Sequence, residues 1–394
     1  MTEQQWQLID DGEYRMDRVC IAVILGELIN PRIEKRLSAE QRMADVHLIS
    51  WDRGTNMLLR PNENGYKAHS ILLRAKSDPV RRMIPYARFV RFAIKELKSI
   101  SPAVIHVQNL DMLKIAVWYK HHVNQKVHII YEIADLHKLL VDKQKSLLRK
   151  IAQRHLRNED RKCTQDVDLL VVTSEMFYNT YFKDFMPAEK LLYMPNVPDI
   201  TAFKNYQRKA EKEPFVVGFI GAVRYKQQMK NLIEAGKKAG VKVLFAGVEY
   251  EGNELELLCR DEPHVTWYGK FDFTQKAAAL YGMCDAIYSV YNADLENVKV
   301  ALPNKLYEAI YCELPLIVAK DTYLSELVTK WGVGVSVRHD DVNELADMLV
   351  RLKNDKAFYQ QICQHCHEKK EIVNLECYNE KLLNRIQVML SEVG

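Results

Sequence analysis

The sequence predicts an α/β protein with two doubly wound domains, each built around a parallel sheet. Three observations support this fold class. Short apolar strands alternate with helical stretches nearly throughout, the strands are continuous runs rich in β-branched residues, and the pattern restarts after a polar stretch bounded by prolines. Continuous runs of this kind are typical of parallel sheets covered by helices on both faces. The 394 residues, 48% of them hydrophobic, can fill more than one compact core.

The first half of the chain contains five apolar runs that predict strands. They span residues 19–25, 45–51, 103–108, 126–134 and 168–174. Two basic stretches, residues 74–98 and 143–162, have apolar residues at helical spacing and predict amphipathic helices. In the first of these helices the expected apolar face is formed by Met83, Ile84, Ala87, Val90, Ile94 and Leu97.

The second half repeats the pattern with six predicted strands. They span residues 215–221, 241–247, 265–269, 286–291, 315–319 and 334–337. Residues 194–214 lie between the two halves and are polar, with prolines near both ends. We therefore place the boundary between the two domains near residue 200.

The net charge of +4 is unevenly distributed, because the basic excess lies in the first half. Residues 74–98 alone hold eight basic and two acidic side chains. A basic amphipathic helix can rest on an anionic lipid surface or bind an anionic substrate, although a solvated helix face has the same composition. The chain carries no nucleic-acid-binding motif, so we expect no nucleic acid among its partners.

The sequence gives no sign of export or of a membrane span. No apolar run approaches the roughly 18 residues that a span requires, and residues 1–17 lack a signal pattern. We therefore expect a cytoplasmic protein whose eight cysteines are reduced. Cys363, Cys366 and His367 have the spacing of a haem-attachment or zinc motif. Since no second cysteine pair accompanies them, we interpret both cysteines as structural thiols.

Two basic residues follow the first strand of the second domain. Arg224 and Lys230 lie in "GAVRYKQQMKNLIEA", at the entry of a predicted helix. Ligands of parallel sheets bind beyond the carboxyl ends of the strands, where helix amino termini offer free amides, so this loop suits phosphate groups. Taken alone, the two cations are also typical of an exposed loop. Neither domain has the Gly-x-Gly-x-x-Gly fingerprint, which argues against a nicotinamide or flavin dinucleotide.

A second candidate site lies in residues 302–321, "LPNKLYEAIYCELPLIVAKD". We expect Pro303 in the first position of a helix, where its missing N–H costs nothing. Asn304 and Glu308 are four residues apart and project near one face. The Glu308 carboxylate can accept from two neighbouring hydroxyls, as a ribose offers, while Lys305 either meets a phosphate or pairs with Glu308. The alternative is a capped surface helix with a local ion pair.

These stretches carry a family resemblance. "LPNKLYEAIYCELPLIVA", "GFIGAVRYKQQMKNLIEA" and "VVTSEMF…LLYMPNVPD" resemble retaining glycosyltransferases of family 4 (glycosyl transferases group 1), especially bacterial enzymes that build surface polysaccharides. Residues 32–54 and 103–111 are similar to the same family, so the resemblance covers nearly the whole chain. It implies the GT-B fold, in which two Rossmann-like domains face a cleft.

The resemblance also implies a division of labour between the domains. Residues 1–200 would bind the acceptor and residues 201–375 the sugar nucleotide. The end of the chain, "CYNEKLLNRIQVML", is similar to the helix that returns to the first domain, so residues 376–394 are expected to pack there.

Individual site residues follow from the matched motifs. Arg224 and Lys230 match the basic pair that binds the diphosphate of the donor, and Glu308 matches the glutamate that holds its ribose. Asn297 and Leu302 would lie near the donor sugar. In the first domain, "YEIADLH" resembles a strand end that often reads Tyr-Asp-x-His-Asp. Polar groups near the anomeric centre are therefore expected, in order of preference, from Asp135, His137 and His106.

Two positions depart from the family pattern. The glutamate expected eight residues before Glu308 is replaced by Val300, and the usual histidine of the first domain is replaced by Ala134. Because of both changes, the pattern does not identify which residues contact the sugar. Asp166 and Asp168 form an Asp-x-Asp motif that resembles the metal site of the other large glycosyltransferase fold. We reject that site because it precedes a strand and so lies at the wrong edge of a parallel sheet.

The implied reaction is a hexosyltransferase-like transfer from a UDP- or GDP-sugar to a glycan or polyprenyl-diphosphate-linked glycan acceptor, with retention. Cationic side chains and helix amides would stabilise the leaving diphosphate, so neither a metal nor another cofactor is expected. Such a protein would work in the cytoplasm, peripherally at the inner face of the cell membrane. The alternatives are a noncatalytic glycosyltransferase-like subunit and a sugar-nucleotide epimerase of the same fold.

Overall fold

The computed structural model describes residues 6–8, 14–16, 18–27, 29–54, 65–75, 79–144, 146–208, 214–249 and 252–391. Residues 209–213 of the expected linker, and residues 76–78 and 145 of the two basic stretches, lie outside these ranges. The chain forms two compact units, one of Met1–Met194 with Glu376–Gly394 and one of Pro195–Leu375. Within the described ranges, no helix is both long enough and apolar enough to cross a bilayer.

The first unit contains a seven-stranded parallel sheet with the strand order β5-β4-β3-β6-β7-β8-β9. Its strands are β3 (Val19–Leu25), β4 (Ala44–Asp52), β5 (Lys67–Leu72), β6 (Val104–Gln108), β7 (His128–Ile133), β8 (Leu169–Val172) and β9 (Leu191–Tyr193). Two short strands, β1 (Trp6–Leu8) and β2 (Tyr14–Met16), pair antiparallel with each other. The order reverses between β3 and β6, since the chain builds outward from β3 to β5 and then returns to β6.

Helices cover this sheet between its strands. They are α1 (Pro31–Glu40), α2 (Pro79–Ile100), α3 (Asn109–His122), α4 (Lys138–Val141), α5 (Leu147–Thr164) and α6 (Glu175–Phe177), with a π-helical turn at Tyr178–Phe182 and a 3-10 turn at Ala188–Lys190. α1 begins where the side chain of Asn30 accepts a hydrogen bond from the Ile33 amide, with Pro31 following this cap.

The second unit contains a six-stranded parallel sheet with the order β12-β11-β10-β13-β14-β15. Its strands are β10 (Val216–Ile220), β11 (Lys242–Ala246), β12 (Val265–Gly269), β13 (Ala286–Ser289), β14 (Leu316–Ala319) and β15 (Gly334–Val337). Here the order reverses between β10 and β13. The fold class predicted from the sequence, two doubly wound parallel sheets, is confirmed.

The helices of the second unit alternate with these strands. They are α7 (Lys226–Ala239), α8 (Glu254–Arg260), α9 (Phe273–Gly282), α10 (Glu296–Val300), α11 (Asn304–Tyr311), α12 (Tyr323–Trp331), α13 (Val342–Asn354) and α14 (Lys356–Glu368), with 3-10 turns at Ile200–Phe203 and Lys370–Ile372. Capping residues determine where one of these helices, α12, begins and ends. Thr322 and Ser325 form a capping box before α12, and Gly332 ends that helix in the left-handed conformation.

The last helix, α15 (Leu375–Ser391), packs on the first unit. Leu382, Ile386 and Met389 join the apolar core that α1 forms with β3 and β4. Arg42 pairs with Glu376 at the start of α15, at 2.5 Å. The core of the first unit is therefore built from both ends of the chain.

The buried face of α2 differs from the predicted one. Phe89, Ala93 and Leu97 are fully buried, at the four-residue spacing of one helix face, whereas Met83 and Ile84 are 66% and 70% exposed. The 22 residues of α2 span about 33 Å, while the seven residues of β3 span about 23 Å. The first turns of α2 thus extend past the strands, and the apolar face assigned to Met83 and Ile84 was wrong.

Candidate functional site

The reversal of strand order between β10 and β13 places two loops of the second unit beside each other at the carboxyl edge of its sheet. Crevices at such reversals are where open α/β sheets bind ligands. The segment after β10 contains Gly221 and Arg224, and the segments after β13 lead through α10 into α11. The residues predicted to bind a donor come from these segments.

Two glycines let the loops after β10 and β11 approach. Gly221 and Gly247 have φ angles of 138° and 146°, which side chains of L-residues rarely permit. A Cβ atom at position 247 would lie 1.9 Å from the carbonyl oxygen of Gly221. A Cβ atom at position 221 would lie 2.9 Å from Nζ of Lys305. The backbone at Gly221 therefore lies directly against the ammonium group of Lys305.

Lys305 is a buried cation, with 8% of its surface exposed. Its Nζ donates to the hydroxyl of Tyr291 over 3.2 Å and lies 4.3 Å from the centre of the Phe219 ring. A cation over an aromatic face recovers part of the free energy lost on desolvation. An ammonium group has three donors, and Tyr291 takes one of them. The structure therefore presents positive charge under the loop that follows β10.

Glu308 lies one turn further along α11 and is 4% exposed. One oxygen of its carboxylate accepts a hydrogen bond from the hydroxyl of Tyr281. Burial, together with this carboxylate, raises the pKa of Tyr281 far above its ordinary value, so the phenol remains a donor. Tyr281 thereby fixes the orientation of Glu308.

The start of α11 differs from the prediction in one detail. Pro303 has an extended ψ of 154° and caps the helix, so Asn304 rather than Pro303 takes the first helical position. Asn304 is exposed, while every residue of α11 from Lys305 to Ile310 is buried. The alternative of a surface helix is therefore wrong.

Arg224 and Lys230 flank the start of α7. Arg224 is exposed on the loop before the helix, and Nζ of Lys230 lies 2.5 Å from a carboxylate oxygen of Glu254 in α8. Lys226, which the sequence reasoning missed, lies 2.9 Å from the buried Glu249. Its place at the first position of α7, beside the loop, was the signal that could have identified it. All three cations lie near the entry of α7, and the two lysines pair with acidic side chains there.

The residues predicted near the donor sugar lie on and after α10. Asn297 is half-buried on α10, and Leu302 is buried in the segment that leads to α11. Val300 ends α10 with its side chain buried. Position 300 therefore contributes an apolar contact where the family pattern has a carboxylate.

In the first unit, the predicted polar residues lie at different depths. Asp135 and His137 are exposed on the loop after β7, and Nδ1 of His137 accepts from the amide of Leu139 at the start of α4. His106 is buried within β6, with Nδ1 2.6 Å from Glu40 and Nε2 3.2 Å from Glu132. The loop thus brings Asp135 and His137 to the carboxyl edge of the sheet, and His106 lies behind it.

The surroundings of His106 determine its charge. Burial alone would lower the pKa of His106, but the carboxylates of Glu40 and Glu132 outweigh burial and raise it to about 9. Burial likewise favours neutral Glu132, yet Arg36, His106 and Arg32 hold its pKa well below the ordinary value. The imidazole is therefore cationic at neutral pH, and both of its nitrogens face carboxylates.

Two other motifs from the sequence occupy places away from these loops. Asp166 and Asp168 precede β8 and contact His121 at 2.8 Å and Lys120 at 3.0 Å, respectively. Cys363 and Cys366 are buried in α14 as free thiols. Across the part of the chain that the structure describes, no group of three or more potential ligands could hold a metal ion.

Comparisons with known proteins agree with this arrangement. Residues 201–370 match the family described as glycosyl transferases group 1. Over 348 residues the chain is 25% identical to the succinoglycan biosynthesis protein ExoL of Rhizobium meliloti (strain 1021), a match that covers 84% of this chain and 83% of that protein.

Solved structures share the two-unit fold. Sucrose-phosphate synthase from Thermosynechococcus elongatus is 15% identical with a TM-score of 0.72, covering 95% of this chain and 100% of that chain. HepE from Anabaena in complex with UDP is 13% identical with a TM-score of 0.69, covering 94% of this chain and 100% of that chain. Residues 201–370 therefore match the glycosyl transferases group 1 model, and the chain as a whole has the GT-B fold.

Proposed function

We propose that the protein transfers a sugar from a UDP- or GDP-sugar to a glycan or lipid-linked glycan during surface polysaccharide biosynthesis. The observation that carries the proposal is the buried ammonium of Lys305 beneath the loop at Gly221, at the strand-order reversal of a glycosyl transferases group 1 domain. The similarity to ExoL, a protein named for succinoglycan biosynthesis, supports a role in polysaccharide biosynthesis. The structural similarity to HepE, which was solved with UDP and with UDP-glucose, supports a nucleotide sugar as the donor.

The chemistry requires stabilisation of a leaving diphosphate. As the bond between the anomeric carbon and the diphosphate oxygen breaks, negative charge develops on the diphosphate. Lys305 and the free amides at the start of α11 would meet this charge from one side, and Arg224 and Lys230 from the entry of α7. Glu308, already oriented by Tyr281, would accept hydrogen bonds from the ribose hydroxyls. Cations in these positions can stabilise the leaving diphosphate, a role that a divalent metal can also perform.

The resemblance of the motif and the exposure of Asp135 and His137 on the loop after β7 support a catalytic role for these two residues, and the hydroxyl of the acceptor attacks the anomeric carbon as the diphosphate leaves. His106 would act through its neighbours, because both ring nitrogens already face carboxylates. The support for retention of the anomeric configuration and for a family 4 mechanism is the resemblance of the motifs.

A transfer assay with purified protein tests the proposal. UDP- and GDP-sugars are incubated with lipid-linked glycan fractions, and the product linkage is read by NMR. We expect transfer with retained configuration that EDTA does not abolish. Release of a free sugar epimer would favour the epimerase, and nucleotide binding without hydrolysis or transfer would favour the noncatalytic subunit.

The predicted basic pair gives a second test. Arg224→Ala and Lys230→Ala should each weaken binding of both the nucleoside diphosphate and the intact donor by about 10-fold, because each removes a charge-assisted contact. Calorimetry with UDP and GDP measures this. Lys237→Ala, on the same helix but paired with Glu262, is the matched control. Unchanged diphosphate affinity in both variants, or strict metal dependence, would contradict the assignment.

We further propose that the first unit binds the cytoplasmic membrane surface peripherally. Exposed apolar side chains occur near the amino ends of α2 and α5, namely Met83, Ile84, Leu147, Leu148 and Ile151. Exposed cations flank them, including Arg81, Arg88, Arg149, Lys150 and Arg154. Both helices begin at the carboxyl edge of the sheet, and α3 packs between them. Apolar residues ringed by cations suit an anionic lipid surface.

A further inference from the structure

Six polar side chains form a buried charge ladder in the first unit, where α1 packs on the sheet. Residues four apart on a helix share one face, and residues two apart on a strand share one face. The ladder takes three residues from α1, two from β6 and one from β7, which are Arg32, Arg36, Glu40, His106, Gln108 and Glu132.

The charge ladder runs from the middle of the sheet to its carboxyl edge. At the inner end His106 lies between Glu40 and Glu132. Nε of Arg36 is 3.3 Å from Glu132. At the outer end, Nε of Arg32 lies 3.3 Å from Oε1 of Glu132.

The outer end combines two side chains from different elements. Nη2 of Arg32 donates to Oε1 of Gln108 over 3.1 Å. Gln108 is the last residue of β6, and Arg32 lies in the first turn of α1, directly after β3. Because the strand order reverses between β3 and β6, this pair lies at the reversal point of the first sheet, where doubly wound sheets bind ligands.

The charge ladder has an excess of positive charge. Arg32, Arg36 and protonated His106 face two carboxylates, Glu40 and Glu132. Arg36 and Gln108 are more than nine-tenths buried, and within the described part of the chain Nη2 of Arg36 and Nε2 of Gln108 have no hydrogen-bond partner. Buried donors and an uncompensated buried charge both cost free energy, and an anion that accepts from Nε2 of Gln108 would reduce both costs.

Arg32 is the member of the charge ladder best placed to meet such an anion. Its side chain is 17% exposed, whereas that of Glu132 is fully buried. Glu132 and Gln108 fix the direction of its guanidinium group, so its remaining N–H groups keep a defined geometry. A planar, oriented guanidinium favours a carboxylate or phosphate. The amino end of α1 adds favourable electrostatics for an anion.

We propose that Arg32 and Gln108 form an oxyanion-binding site within the first unit, which takes a phosphate or carboxylate group. Glu132 orients Arg32 and thereby positions it. The binding itself is independent of the proposed transfer reaction. If the protein is a glycosyltransferase, the oxyanion belongs to the acceptor, as the phosphate of a lipid-linked glycan or the carboxylate of a uronic acid.

Solution NMR of the arginine Nε–H groups in the full chain tests the proposal, with inorganic phosphate and glucuronate as probes. Arg32→Lys and Arg36→Lys variants assign the resonances. We expect a saturable shift of the Arg32 resonance with at least one probe. A response to phosphate alone identifies a phosphate ligand, and a response to glucuronate alone identifies a carboxylate. No response of Arg32 to either probe overturns the proposal.

Affinity measurements on matched variants locate the site. By calorimetry, the probe that shifts Arg32 should bind about tenfold more weakly to Arg32→Gln. Arg18→Gln removes the same charge from the exposed residue just before β3, at the opposite edge of the sheet, and should leave this affinity unchanged. Equal losses in both variants would mean that only net charge matters, and the site would be rejected.

A donor-site variant separates the two proposals. In Arg224→Ala/Lys230→Ala the resonance of Arg32 should still shift with the probe, because the two sites lie in different units. If transfer activity is never found but Arg32 responds, the oxyanion site stands and the transferase proposal fails. Loss of the Arg32 response in this variant would show that the shift reports on the donor site and would overturn the oxyanion site.

Discussion

Lys305 and Glu308 illustrate how burial changes the meaning of a sequence motif. Both residues were identified from the sequence, but as members of a helix that could equally have been a surface helix. Burial excludes that alternative, and their partners Tyr291 and Tyr281 come from other segments of the second unit. Those tyrosines could not be predicted, because only folding brings them next to α11.

Glu308→Gln should reduce kcat/KM for the donor without unfolding the protein. An amide accepts hydrogen bonds less strongly than a carboxylate, so the expected loss is roughly 1.5–3 kcal/mol, about 10- to 100-fold. Steady-state kinetics measure the loss, and circular dichroism checks the fold. Glu326→Gln, which changes an exposed carboxylate on α12, should retain wild-type kinetics. Wild-type turnover of folded Glu308→Gln would exclude the assigned role.

His106 gives a pH dependence of stability. Its pKa is raised from 6.5 to about 9, so its favourable contacts with Glu40 and Glu132 are fully present below pH 6.5 and are lost as pH rises through 9. The contribution is on the order of 3 kcal/mol. Urea unfolding should therefore show the free energy of unfolding decreasing between these two pH values.

Two variants test whether His106 causes this decrease in the free energy of unfolding. His106→Gln removes the titrating group and should flatten the decrease. His155→Gln, which alters an exposed histidine on α5, should leave the decrease as in the wild type. The same pH dependence in all three proteins would show that other groups cause it.

At the scale of single elements, the strands were the most predictable feature. Every strand predicted from an apolar run is present, and β3, β12 and β15 have the predicted bounds. Four described strands were missed: β1 and β2, which pair with each other, and β5 and β9, which form the two edges of the first sheet. β5 has only exposed and half-buried residues, and β9 is three residues long, so neither produces a long continuous apolar run.

Side-chain networks were less predictable than strands. The spacing of Arg32, Arg36 and Glu40 places them on one helix face, which is visible in the sequence. Their partner Glu132, however, follows Arg36 by 96 residues, and nothing local indicates the contact. The charge ladder therefore required the sheet register before it could be recognised.

The loops at the proposed donor site predict an order of stability among three glycine variants. Gly247→Ala should lower the thermal midpoint most, by a free energy of about 3 kcal/mol or more, because its Cβ would overlap the backbone at Gly221. Gly221→Ala should be intermediate, since its Cβ meets the mobile end of Lys305. Gly240→Ala has open space and should cost about 1 kcal/mol for its left-handed conformation alone.

Calorimetric melting curves of the three variants test this order. Gly221→Ala should in addition weaken UDP binding, because it displaces the ammonium of Lys305. Gly240→Ala, at the far end of α7, serves as the control for both measurements. Equal midpoints for Gly247→Ala and Gly240→Ala would contradict the close approach of the two loops.

At the scale of the whole molecule, the first unit should bind anionic but not neutral vesicles at low salt. Neutral vesicles lack the anionic lipids that attract basic side chains, and each basic residue near an anionic surface contributes about 1 kcal/mol. Binding should weaken as salt rises, because the Debye length falls from about 10 Å at 0.1 M to about 3 Å at 1 M. Vesicle sedimentation measures the bound fraction.

Variants separate the two contributions to this binding. Changing Arg81, Arg82, Arg88 and Arg91 to Glu should abolish sedimentation. Changing Leu147, Leu148 and Ile151 to Ser should weaken it while preserving its dependence on salt. Donor binding should be unaffected in both. Equal binding to neutral and anionic vesicles, or none to either, would remove the membrane proposal.

The position of α15 determines the order in which the chain can complete its folding on the ribosome. Most of the first unit precedes the second unit in the chain, yet Leu382, Ile386 and Met389 of its core are synthesised after the second unit. The second unit is one continuous segment, and all of it emerges before that helix. We therefore expect the segment in the middle of the chain to reach its native state first, reversing the usual order from the amino terminus. Until α15 has emerged, the nascent first unit leaves apolar surface of its core uncovered, which chaperones recognise.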